Sequence, residues 1–265
     1  MIFRILFVML LVAGNVDAQR LDTLIKVSPY SLHVKILEGK GTPILFESGG
    51  GLDASQWDSI ATVLHYQLQT TVITYDRAGF GKSTLDTTNY SILQEIKSLE
   101  AALTAFGYKN ANFLLVGHSL GGFYNRVFAA RHSGQVKGIV LLDPRIPSYE
   151  DMASARKYFQ TLDRKDFEGG YINLYHLLAN MEQTSNYVRQ LPLPPGIPIL
   201  NVMAETGPFL EAKENERFQT AQRNLVHANK NRKLVLAKGS SHNIPNDKPG
   251  LVIKLIGNFY RELKL

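Results

Sequence analysis

The chain of 265 residues is 45% hydrophobic and 20% charged, a balance that fits one globular domain with a sizeable core and excludes disordered and fibrous classes. Its formal charge of +6 comes without a clustered basic motif, so nucleic acid is not an expected partner. Cysteine is absent, which excludes disulfides and cysteine-linked lipid and leaves stability to the packed core.

Met1-Ile2-Phe3-Arg4 precede an apolar run from Ile5 to Gly14 and then Val16-Asp17-Ala18. A basic start, a short apolar stretch and a small exit residue predict a secretory signal peptide over residues 1–18, cleaved after Ala18. The run falls short of the roughly 20 apolar residues that span a bilayer. The expected mature chain, residues 19–265, begins at Gln19 and is secreted or periplasmic, with no stable membrane insertion after cleavage.

Strand-like apolar runs then alternate with helix-like stretches. The predicted strands are Ser31–Leu37, Pro43–Phe46, Thr71–Tyr75, Phe113–Val116, Val136–Leu142, Ile197–Met203 and Lys233–Ala237. Several are apolar almost throughout, as strands covered on both faces are, which predicts a mostly parallel sheet. Helical spacing marks Ser55–Leu68, Ser91–Phe106, Gly121–Arg131, Phe209–Ala228 and Asp247–Leu263. In the second of these, Leu93, Ile96, Leu99, Leu103 and Phe106 recur every three or four residues and predict one buried face. The connection over residues 144–196 is too long for a simple turn. It predicts an inserted helical cap after the sixth strand, ended by Leu191-Pro192-Leu193-Pro194-Pro195-Gly196, which cannot continue a helix. Asn89-Tyr90-Ser91 matches the pattern of a glycosylation acceptor.

The chemistry is concentrated in a few segments. Gly117-His118-Ser119-Leu120-Gly121 joins a predicted strand to a predicted helix, the setting of a nucleophile elbow. There, small residues flank a turn so tight that the serine hydroxyl projects from it. The helix that follows directs its N-terminal dipole and free N–H groups at an oxyanion. A serine hydroxyl needs a base to take its proton, and the chain has seven histidines. His118 and His132 lie beside or on the elbow helix, and His33, His65, His176 and His227 fall inside predicted strands or helices. His242, in Ser240-Ser241-His242-Asn243, follows the last strand at the carboxyl edge of the sheet, the edge that also bears Ser119. It is the expected base.

Three stretches together resemble the α/β-hydrolase fold family, in its serine esterase and lipase branch: the elbow, the late histidine loop, and Asp76-Arg77-Ala78-Gly79-Phe80-Gly81-Lys82-Ser83. The last is similar to the family's structural turn after its fourth strand. It also weighs against a P-loop ending at Gly81-Lys82-Ser83, whose first glycine would fall where Asp76 stands. The resemblance implies an oxyanion hole formed by the N–H groups of Gly50, in Glu47-Ser48-Gly49-Gly50-Gly51, and of Leu120. Ser48 stands where the family usually has histidine. The family places its acid after the sixth or the seventh strand, which offers Asp143 or, as the alternative acid, Glu205.

The resulting expectation is an exported serine hydrolase that cleaves a small-molecule carboxylic ester through an acyl-enzyme, with triad Ser119, His242 and Asp143. No metal or organic cofactor is implied. The same triad serves amidases, lactonases and carbon–carbon bond hydrolases, because fold does not choose among them. A non-catalytic binding protein on the same fold is the alternative from another class.

Overall fold

The computed structural model describes residues 20–88 and 90–265, with the side chains of residues 149–151 excepted. The expected signal peptide, Gln19 and Asn89 of the acceptor pattern lie outside the described residues.

Among the described residues, eight strands form one sheet: β1 (Arg20–Val27), β2 (Tyr30–Leu37), β3 (Ile44–Glu47), β4 (Val72–Tyr75), β5 (Phe113–His118), β6 (Val136–Leu142), β7 (Ile199–Ala204) and β8 (Arg232–Ala237). Their spatial order is β1-β2-β4-β3-β5-β6-β7-β8. β1 pairs with β2, and β2 with β4, in antiparallel fashion, while the pairs from β4 onward are parallel. Strands β3 to β7 are buried along nearly their whole length, which is why they read as unbroken apolar runs. β1 does not: its residues alternate between exposed and half-buried. An edge strand of that pattern carries no apolar run, so β1 is absent from the strands predicted above.

The helices are α1 (Asp58–Leu68), α2 (Ile92–Ala105), α3 (Gly121–Arg131), α4 (Tyr149–Phe159), α5 (Ile172–Ala179), α6 (Met181–Gln190), α7 (Ala212–His227), α8 (Ile244–Asp247) and α9 (Pro249–Glu262). They cover both faces of the sheet. On one face α1 and α9 bury Ile60, Leu64, Val252, Ile256 and Phe259, and the 3-10 turn before α1 buries Trp57, against β3 and its neighbours. On the other, α2 and α3 bury Ile96, Leu99, Phe123 and Val127. The inward face of α2 starts from Ile92 and Glu95 and not from Leu93, which is half-buried, so a carboxyl group lies in the core. α7 begins at Ala212 and not at Phe209, because the Asn215 side chain caps the loop before it: Oδ1 accepts from the Phe209 N–H at 2.8 Å and Nδ2 donates to the Phe209 carbonyl at 2.6 Å. The cap inserted after β6 comprises α4, α5 and α6 with a 3-10 turn at Arg164–Phe167. α6 packs back on α3, which ties the cap to the elbow helix. No described helix is long and apolar enough to cross a membrane.

Candidate active site

Ser119 stands on the turn from β5 into α3 with φ +51°, in the left-handed region that non-glycine residues seldom adopt. The turn leaves no room at its flanks. A Cβ on Gly117 would lie 2.5 Å from Asn125 Nδ2, and one on Gly121 would lie 2.6 Å from the Glu47 carbonyl oxygen. The Ser119 N–H donates to the Leu142 carbonyl at 3.0 Å, and the Ser119 carbonyl accepts from Gly122 and Arg145 N–H groups at 3.1 and 3.0 Å. Backbone bonds on both sides thus hold the serine at the carboxyl edge of the sheet.

Asp143, the first residue beyond β6, is fully buried and also has a positive φ, +42°. Its Oδ2 lies 2.6 Å from His242 Nδ1, whose Nε2 lies 2.8 Å from Ser119 Oγ. With Nδ1–H donating to the carboxylate, Nε2 is left to accept the Ser119 hydroxyl proton. The structure therefore brings Ser119, His242 and Asp143 into one hydrogen-bonded row. Glu205 stands apart from it. Glu205 is exposed, and its Oε2 accepts the Gly239 N–H at 2.8 Å, which steadies the loop leading to His242.

Two residues that the sequence reading did not single out complete the support of Asp143. Its Oδ1 accepts from the Ala204 N–H at 3.0 Å and from Gln222 Nε2 at 2.8 Å, while Gln222 Oε1 accepts from Asn201 Nδ2 at 2.9 Å. Gln222 and Asn201 are both fully buried. The available signal was an asparagine inside the apolar run of β7, since a buried amide is retained only where it has partners.

Gly50 lies against Leu120: a Cβ on Gly50 would sit 3.5 Å from Leu120 Cδ2. Among the described residues, neither the Gly50 nor the Leu120 N–H is taken up by another hydrogen bond. The loop before Gly50 is gripped from below by Arg77, which is 2% exposed. Its Nη1 donates to the Ser48 carbonyl at 2.6 Å and its Nη2 to the Gly49 carbonyl at 2.5 Å. Because a trans peptide sets its C=O and N–H in opposite directions, drawing the Gly49 carbonyl toward Arg77 turns the Gly50 N–H away from it.

The Arg77 guanidinium lies over the Tyr124 ring at 4.8 Å and near the carboxylates of two buried glutamates. Burial pushes Glu47 up to about 8 and Glu95 up to about 7. Tyr75 donates its hydroxyl proton to Glu47, and Tyr124 donates to Glu95. Beside the row, Phe218 meets the His242 ring edge-on at 5.9 Å and touches Phe209 at 5.7 Å. These two rings border a cavity of about 580 Å³ between α7 and the start of the cap, which Arg145, Ile146 and Asn224 also line. Among the described residues, no group of three or more histidine, aspartate or glutamate side chains is arranged to hold a metal ion.

The eight-stranded, mostly parallel sheet covered by helices on both faces is the α/β-hydrolase fold, and residues 44–255 match the model of the alpha/beta hydrolase family. The chain belongs to that family. It is 27% identical over 221 residues to the uncharacterized protein YqjL of Bacillus subtilis, covering 80% of this chain and 81% of that protein. It is 26% identical over 154 residues to the monoglyceride lipase of Rattus norvegicus, covering 54% of this chain and 49% of the lipase. Among solved structures, a thermophilic esterase from Thermogutta terrifontis superposes with TM-score 0.64 at 19% identity, covering 93% of this chain and 99% of the esterase. The haloalkane dehalogenase DatA from Agrobacterium tumefaciens gives 0.61 at 15% identity, covering 92% and 97%. At such identities the likeness is one of fold.

Proposed function

We propose that the protein is an exported serine hydrolase that cleaves a small-molecule carboxylic ester through an acyl-enzyme intermediate. The observation that carries this reading is the row from Ser119 Oγ through His242 to Asp143, at 2.8 and 2.6 Å, built on a strained elbow. Ser119 Oγ attacks the ester carbonyl as its proton passes to His242 Nε2, and the Asp143 carboxylate stabilises the imidazolium. The N–H groups of Gly50 and Leu120 hold the oxyanion. Collapse expels the alcohol, which takes the proton from His242. Water then attacks the acyl-enzyme with the same histidine as base. These steps use protein groups and water alone.

The esterase and the monoglyceride lipase among the similar proteins support ester chemistry. The serine in place of an aspartate nucleophile weighs against dehalogenase and epoxide-hydrolase chemistry. Export is supported by the sequence of residues 1–18.

A fluorophosphonate probe tests the reading. Labelling of the wild type and not of Ser119→Ala, together with turnover of a panel of p-nitrophenyl esters graded by acyl length, is the expected result. A wild type that neither labels nor turns over any ester or amide would instead favour a binding protein on this fold. Terminal sequencing of protein recovered outside the cytoplasm is expected to begin at Gln19, and a start at Met1 would refute cleavage.

A further inference from the structure

Gly49, next to the proposed oxyanion donor, and His242, the proposed base, both sit in loops. A line of hydrogen bonds joins them. The Gly49 N–H donates to Gln56 Oε1 at 2.9 Å. That bond identifies the oxygen end of the Gln56 amide, so Nε2 is the end that donates to His118 Nδ1, at 2.7 Å. His118 Nδ1 is then an acceptor without a proton. The ring proton resides on Nε2, which donates to the His242 main-chain carbonyl at 2.9 Å. Each donor meets an acceptor in a single order, and that order requires His118 to be neutral.

Packing enforces the same arrangement. The His118 ring lies 4.9 Å from the His242 ring, tilted by 42°. It also lies so close over Gly49 that a Cβ there would be 2.6 Å from Nδ1. His118 is buried, and burial together with the neighbouring His242 holds its pKa down to about 4. A charged His118 would offer a second donor to the Gln56 amide and would repel the His242 imidazolium formed during acyl transfer.

We infer that Gln56 and His118 are positioning residues forming a strap that ties the Gly50 loop to the His242 loop and so keeps oxyanion donor and general base at one fixed spacing. The inference rests on the hydrolase reading above. Its physical content is that neither loop is held by the regular ladder of the sheet, and a displacement of about 1 Å between reacting groups costs on the order of a hundredfold in rate.

Gln56→Met keeps the length of the side chain and removes both polar ends. The expected result is a kcat lower by roughly ten- to a hundredfold, with KM near that of the wild type and a thermal midpoint lower by roughly several degrees, because the Gly49 N–H and His118 Nδ1 lose their partner. A Gln56→Met variant that turns over at the wild-type rate would overturn the strap alone, provided that wild-type Ser119 is labelled by a fluorophosphonate. An unlabelled wild type would overturn the strap together with the hydrolase reading. Nitrogen-15 spectra of the histidine rings supply a readout that does not depend on turnover. At pH 7 His118 is expected as the neutral Nε2–H tautomer in the wild type, and Gln56→Met is expected to keep that tautomer, because the His242 carbonyl only accepts, while the Nδ1 resonance shifts on losing the Gln56 hydrogen bond. A wild-type ring protonated at Nδ1 would break the order of donors and refute the proposal.

Discussion

Replacing Asp143 by asparagine keeps the shape of the side chain and removes its charge, and the surroundings determine which way the amide turns. The Ala204 N–H is part of the main chain and cannot rotate away, and it points at Oδ1 from 3.0 Å, with Gln222 Nε2 alongside at 2.8 Å. Turning the amide nitrogen toward them would set donor against donor and leave buried N–H groups unpaired, at about 1–3 kcal/mol each. The oxygen therefore stays at the Oδ1 position, and the NH2 group faces His242 Nδ1. That nitrogen then accepts, the ring proton moves to Nε2, and His242 presents a donor to Ser119 Oγ where the proposed mechanism needs a lone pair. Recovering the working tautomer costs the new bond, and the imidazolium loses a charge-assisted partner worth about 1.5–3 kcal/mol. With about 0.5–1.5 kcal/mol for the new bond, these come together to about 2–4.5 kcal/mol, or roughly one and a half to three orders of magnitude in kcat. The assay is turnover of a p-nitrophenyl ester beside a thermal melt, and the melt is expected to shift by only a few degrees. An Asp143→Asn variant that keeps kcat within tenfold of the wild type, or that loses activity only because it unfolds, would refute the reasoning.

Glu205→Gln is expected to leave kcat nearly unchanged, because an amide oxygen can still accept the Gly239 N–H; a large loss of turnover at constant stability would transfer the role of acid to it. Ser119→Ala and His242→Ala should each lower kcat by about a thousandfold or more, with the double variant little worse, since members of one row act together; losses that multiply would show two independent devices. Gly121→Ala should yield little folded protein, because the added Cβ meets main-chain oxygen, whereas Gly134→Ala, which opens onto empty space, should melt like the wild type. Glu95 is protonated in the fold up to about pH 7 but ionises at ordinary carboxylate values when unfolded. The folded state therefore binds the extra proton, and stability falls as pH rises from about 4.5 to about 7. Glu95→Gln should flatten that decline in melts taken across the range, and an unchanged slope would place the buried charge elsewhere.

How much was legible in the sequence depends on whether a residue's role is dictated locally. Ser119 could be read because a turn this tight admits only glycine at positions 117 and 121, a steric demand that leaves its mark on adjacent residues. The strands β3 to β7 could be read because burial on both faces demands apolar side chains at most positions. The edge strand β1 could not, since one of its faces is exposed and the other only partly buried. Position after the last strand sufficed to prefer His242 among seven histidines.

The choice between the two candidate acids was different in kind. Asp143 and Glu205 both follow strands that end on the same edge of the sheet, so no local rule separates them. What separates them is the side-by-side pairing of β6 and β7, which sinks Asp143 into a pocket closed by Gln222 and turns Glu205 outward onto Gly239. The same holds for Arg77, whose motif was visible while its grip on the Ser48 and Gly49 carbonyls was not, and for the bond from His118 to a carbonyl 124 residues away. A local rule can choose the kind of residue at a turn. Only the packed sheet decides which side chains from distant turns come within hydrogen-bond reach, because that reach is about 3 Å and a shift of one strand register exceeds it.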